Sequence, residues 1–243
     1  MKFVLLVVLF AFALRSSFAQ MPQTSQVGIR RAVKIDKNTR FIDKVTGKPI
    51  SYSAYQELMT KDPFGYHLEP IIDEYGQPSA YSIRACTPEE RTTHSFNDID
   101  ITLRPKIGEP MQEFIMKGID GKVYRLSELK GQVVVLSFWV SLQKPFWGPN
   151  DAKRFADALR PFQSENAPII LGILQDSKEE IASVMATETL PFMPIPDSLG
   201  FNSKFQVTSI PSFIIIDRSG KVANYIEGSD YDQLQKALQT VAR

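Results

Sequence analysis

Covalent chemistry on a protein begins with a nucleophile, and this chain carries one thiol. Cys86 lies in Arg84-Ala85-Cys86-Thr87-Pro88, the single cysteine of 243 residues, alongside two histidines, His67 and His94. One thiol makes no intramolecular disulfide, no Cys-x-x-Cys redox pair and no zinc ribbon. His67, Cys86 and His94 have no metal-ligand spacing, which leaves only carboxylates as ligands for a hard cation. Arg84 would lower the Cys86 pKa if its guanidinium lay close. Beside that stand two other readings of Cys86: a small buried hydrophobe and a half of an intermolecular pair. The serines form no Gly-x-Ser-x-Gly elbow, and no glycine-rich phosphate loop occurs. The carboxylate pairs Glu179-Glu180 and Asp98/Asp100 read as solvated surface. With 28 basic against 27 acidic residues, and only Arg30-Arg31 and Lys34 as a basic cluster, nothing supports nucleic-acid binding. The residues therefore point to no catalytic group other than Cys86, and to no metal or cofactor site.

The elements that would position a site divide the chain in three. Residues 1–19 read as a signal peptide: Lys2, the uncharged run Phe3–Leu14, then Ser17 and Ala19 before Gln20. The run is shorter than the ~20 apolar residues of a membrane helix, so cleavage would leave no span. The expectation is export, to the periplasm or the medium. Residues 20–104 read as an accessory region. Two turn signals, Asp43–Pro49 and Asp73–Pro78, each follow an Ile and precede a Tyr, which predicts two short hairpins. Ser53–Met59 between them reads as a short helix.

Residues 105–243 have the pattern of an α/β domain. Val133–Val140 is a continuous apolar run, as expected of a strand covered on both faces. Asp151–Phe162 is apolar at helical spacing, and Pro168–Leu174 is a second buried strand. Ser177 and Glu180 form a capping pattern opening a helix to Ala186. Ser212–Ile216 is a third strand, turning at Asp217–Gly220 into Lys221–Ile226, and Tyr231–Val241 is an amphipathic helix. This β-α-β-α-β-β-α order implies a central mixed sheet flanked by helices, its first two strands parallel.

Four stretches in this order give a family resemblance: Gly108–Phe114, Asp120–Gly131, Ser137–Phe146 and Ser209–Lys221. From Gly108 to Arg243 the chain resembles the thioredoxin-like proteins, specifically the exported TlpA-like thiol–disulfide oxidoreductases and the related redoxin and alkyl-hydroperoxide-reductase group. The resemblance implies a thioredoxin-like fold and a cis proline at Pro211. It also exposes a departure. The family motif is Phe-Trp-Ala-x-Trp-Cys-x-x-Cys. Aligned on Phe138-Trp139 and Pro145, Gln143 and Phe146 stand at the two cysteine positions, and Leu142 replaces the preceding Trp. Thiol–disulfide exchange needs one thiolate to attack and a second sulfur to resolve. Peroxidase chemistry lacks its cysteine in this loop too.

The expected function is therefore a redox-inactive binding or accessory factor of the cell envelope. Its groove would lie between Ile210-Pro211 and Gln143, Lys144, Pro145, Phe146 and Trp147, with Phe192 and Met193 as further apolar walls. The partner would be an extended peptide or protein pairing with the Ile210 backbone. Three other readings stay open: the aromatics pack inward and Pro211 is architectural; Cys86 sustains oxidoreductase chemistry; or the domain only supports the hairpins.

Overall fold

The computed structural model describes residues 35–242 except 165, and Asp36–Arg243 form one compact unit. The expected signal peptide and its cleavage site lie outside the described residues.

The accessory segment begins with β1 (Phe41–Asp43), β2 (Pro49–Ile50) and α1 (Tyr52–Lys61), followed by β3 (Tyr66–Ile72) and β4 (Pro78–Ala85). Both expected hairpins are present. Asp43 accepts from the N–H groups of Val45 and Thr46, and Asp73 from those of Tyr75 and Gln77, so the two turns share one device. Gly47 and Gly76 take the left-handed φ that each turn needs. A parallel pairing of β1 with β4, Phe41 opposite Tyr81, joins the hairpins into one sheet of order β2-β1-β4-β3. Next comes α2 (Pro88–Thr93), whose capping box links Thr87 and Glu90.

The second part opens with the hairpin β5 (Ile115–Lys117) and β6 (Val123–Arg125). There follow β7 (Val134–Phe138), α3 (Pro149–Leu159), β8 (Ile169–Ile173), α4 (Lys178–Met185), β9 (Met193–Ile195), α5 (Gly200–Lys204), β10 (Ser212–Ile216), β11 (Val222–Glu227) and α6 (Tyr231–Val241). The sheet order is β11-β10-β7-β8-β9. β7 runs parallel to β8, as expected, and β8 parallel to β9. β10 is antiparallel to both β7 and β11. The mixed sheet with helices on both faces is the thioredoxin-like α/β fold.

β7 is central and buried throughout, which is why its sequence is continuously apolar. Val134, Leu136 and Phe138 face a core shared with Phe114, Phe201 and Phe205. Val133 and Val135 face the other core, filled by Phe155 of α3, Ile181 of α4, and Leu234 and Leu238 of α6. β9 and α5 have three and five residues. Neither was expected, because so short an element shows no periodicity.

Candidate functional site

β7 ends at Phe138, and the chain leaves the sheet at Trp139. The indole of Trp139 is buried in a ring cluster, edge-on to Trp147 at 4.9 Å and to Phe155 at 5.3 Å, and stacked on Phe192 at 6.0 Å. The loop that follows is fixed by a buried carboxylate. Asp176, 4% exposed, accepts from the Ser141 hydroxyl at 2.6 Å and from the Leu142 N–H at 2.9 Å. The Ser141 oxygen in turn accepts from the Gln143 N–H. The loop then closes a turn in which the N–H groups of Phe146 and Trp147 both donate to the Gln143 carbonyl. The Lys144–Pro145 peptide is cis. Helix α3 starts only after this turn, with Gly148 as N-cap and Pro149 in its first turn.

Gln143, Lys144, Pro145 and Phe146 are all exposed, Phe146 by 55%. A benzyl ring presented this way meets solvent rather than the core. Trp147 goes the other way. It is 3% exposed and packs on Trp139 and Phe192, so it is a core residue and not a groove wall. Phe192 is buried with it. Met193 is half-buried against the opposite core, so it does not join them. The physical reason is the ring cluster itself: it takes up the apolar area that the sequence pattern left unassigned.

Ile210 and Pro211 are joined by a cis peptide and are half-buried. They precede β10, whose register sets Ser212 opposite Phe138. The Pro211 carbonyl accepts from the Gly228 N–H. Among the described residues neither the N–H nor the carbonyl of Ile210 has a hydrogen-bond partner.

Cys86 stands apart, just after β4, half-buried, its N–H donating to the Gly65 carbonyl. Burial pushes its thiol pKa up. Glu90 adds to that, and the nearby Arg84 and Arg91 offset only part of it. Arg84 is engaged elsewhere, with Glu69 at 2.5 Å and with both oxygens of Glu90 at 2.6 Å. His67 pairs with Asp98 and stacks on Phe96, and His94 lies against Phe64. Among the described residues no three potential metal ligands converge, and no helix is long and apolar enough to cross a membrane.

Sequence reasoning missed Ser141, Asp176 and Arg104. Arg104 donates to the Gln206 carbonyl and to the Thr208 hydroxyl at 2.8 Å, just ahead of the proline loop. Only a polar residue beside an apolar run marked each of them.

The match to known proteins covers this second part. Residues 107–225 match the AhpC/TSA family. Similar curated proteins include thiol-disulfide oxidoreductase ResA of Bacillus cereus, 27% identical over 139 residues, covering 56% of this chain and 79% of that one. Thioredoxin-like protein YneN of Bacillus subtilis is 24% identical over 128 residues, 50% of this chain and 72% of that one. Among solved structures, a thioredoxin-family thiol:disulfide interchange protein from Chlorobium tepidum is 20% identical. It covers 58% of this chain and 98% of its own, with a TM-score of 0.44. The matched stretch of this chain holds no cysteine, because Cys86 precedes it.

Proposed function

We propose that the protein is an exported, redox-inactive member of its family, acting as a peptide- or protein-binding accessory factor of the cell envelope. The observation that carries this is the pair Gln143 and Phe146 at the motif's cysteine positions, in a chain whose one thiol lies outside the domain. An amide and a benzyl ring neither attack a disulfide nor resolve one. Two features support binding. Phe146 is turned out to solvent, and the Ile210 backbone has a free donor and acceptor among the described residues, as an added peptide strand requires. The raised thiol pKa of Cys86 weighs against an activated nucleophile there.

The test has two arms. In an insulin-reduction assay with dithiothreitol, the full chain gives the rate of the dithiothreitol blank, and Cys86→Ser changes nothing. In a peptide-binding titration, Phe146→Ala and Ile210→Asp each weaken binding about tenfold. Turnover above the blank that persists in Cys86→Ser overturns the redox-inactive reading. Turnover abolished by that substitution assigns the chemistry to Cys86 and overturns it equally.

A further inference from the structure

Arg104, the last residue of the accessory segment, reaches the run of chain that leads into the proline loop. Asp100 caps a single helical turn, Ile101–Leu103, by accepting from the Thr102 N–H at 3.0 Å, and Arg104 follows that turn. The turn is pinned at both ends to Gln206. The Asp100 N–H donates to the Gln206 side-chain oxygen at 2.7 Å, and the Arg104 Nη2 and Nε donate to the Gln206 carbonyl at 3.2 and 3.3 Å. Gln206 is buried and takes a φ of +54°, a left-handed conformation that a residue with a Cβ keeps where its surroundings hold it. Arg104 Nη2 also bonds the Thr208 hydroxyl at 2.8 Å and the Glu227 carboxylate at 3.0 Å, and Thr208 donates to Glu227 at 2.7 Å. These three side chains close a triangle between the loop and β11. The guanidinium lies 4.6 Å from the centre of the Tyr225 ring, also on β11. A planar fork can serve the loop carbonyl, the hydroxyl and the carboxylate at once, which an ammonium on a flexible stem does not.

We infer that Arg104 is a positioning residue of the peptide site: it fixes residues 206–208, and with them the place where Ile210, two residues beyond Thr208, presents its backbone. This rests on the peptide-binding reading above and adds that the accessory segment sets the affinity of the proline loop. The far end of the loop is held from within the second part of the chain. The Pro211 carbonyl accepts from the Gly228 N–H, and the Ser209 carbonyl accepts from the Ser212 hydroxyl at 2.5 Å. Loss of Arg104 therefore frees the near end alone. A backbone already held in its pairing geometry loses less freedom when a peptide strand is added to it, so the contact acts on affinity without touching the peptide.

The experiment is fluorescence anisotropy with two labelled probes, a short peptide alternating Val with Ser and the same peptide methylated on every backbone nitrogen, each titrated with the full chain. The methylated probe cannot donate to the Ile210 carbonyl. Arg104→Ala is expected to weaken binding of the plain peptide about tenfold and to leave the weaker binding of the methylated one unchanged. Arg104→Lys keeps the charge without the fork and is expected to behave as Arg104→Ala does. Thr208→Val removes the hydroxyl at an exposed position, keeps the test open if Arg104→Ala fails to fold by circular dichroism, and is expected to weaken the plain peptide alone. Equal weakening of both probes in the folded variants means that Arg104 only supports the fold, and overturns the inference. Plain-peptide binding weakened in Ile210→Asp but unchanged in Arg104→Ala and Thr208→Val overturns Arg104 and leaves the peptide site. No binding to the wild type, or equal wild-type affinity for the two probes, overturns both.

Discussion

Asp176 carries more of the site than its place in the sequence suggests. A buried carboxylate is tolerated only where donors answer it. Here the answering groups are Ser141 and Leu142, 35 and 34 residues away in the chain. The bond fixes the first residues of the loop whose tip presents Gln143 and Phe146. Asp176→Ala leaves a buried hydroxyl and a buried N–H unpaired, and the expected loss is about 1–3 kcal/mol. Asp176→Asn keeps an acceptor and loses less. Urea unfolding followed by tryptophan emission reads both, because Trp139 and Trp147 lie in the cluster beside this loop. Equal stability of wild type and Asp176→Ala would show that the loop is held by its ring packing instead. No local pattern marks such a pair: a serine in one loop and an aspartate in another meet only because β7 and β8 are adjacent and parallel.

At the scale of elements, α2 has six residues, too few to be stable by propensity alone. Its capping box and the Arg84–Glu90 ion pair hold it. Hydrogen bonds from Arg84, then from the Thr87 backbone, lower the Glu90 carboxyl from its ordinary 4.5 to about 2. A carboxylate depressed in the folded state stabilises above its unfolded pKa and loses that contribution as the pH falls. The midpoint of urea unfolding is therefore expected to drop between about pH 4.5 and pH 2, and Glu90→Gln is expected to flatten that limb. An acid limb identical in the variant would remove Glu90 from the account. The capping box at Ser177 and Glu180 was legible because its spacing is local, and α4 follows it as expected. The same holds for β7 and β10, legible as short unbroken apolar runs, and for α6, long enough to show its period. Trp147 was misplaced for the opposite reason. Its direction depends on Trp139 and Phe192, and no spacing along the chain encodes a cluster assembled from three separate segments.

At the largest scale, the two larger sheets of the described residues are joined by a contact that only glycine permits. The β3–β4 turn sits on α5, and a Cβ added at Gly200 would lie 1.9 Å from the Gly76 carbonyl oxygen. The neighbouring Glu74 carbonyl accepts from the Ile115 N–H at 2.6 Å, so the same turn also grips the β5–β6 hairpin. Backbone cannot swing aside as the end of a side chain can. Gly200→Ala must push the turn off α5, and the expected cost is about 1–3 kcal/mol. Gly47→Ala is the control: its φ is also positive, but no atom lies within 4 Å of the added Cβ, so only the local backbone cost of about 1 kcal/mol applies. If this junction couples the two sheets, tryptophan emission and far-ultraviolet circular dichroism follow one unfolding transition in the wild type. In Gly200→Ala the same two signals separate, the accessory sheet melting first. Coincident transitions at an unchanged urea midpoint in Gly200→Ala would mean that the turn does not bind the sheets together.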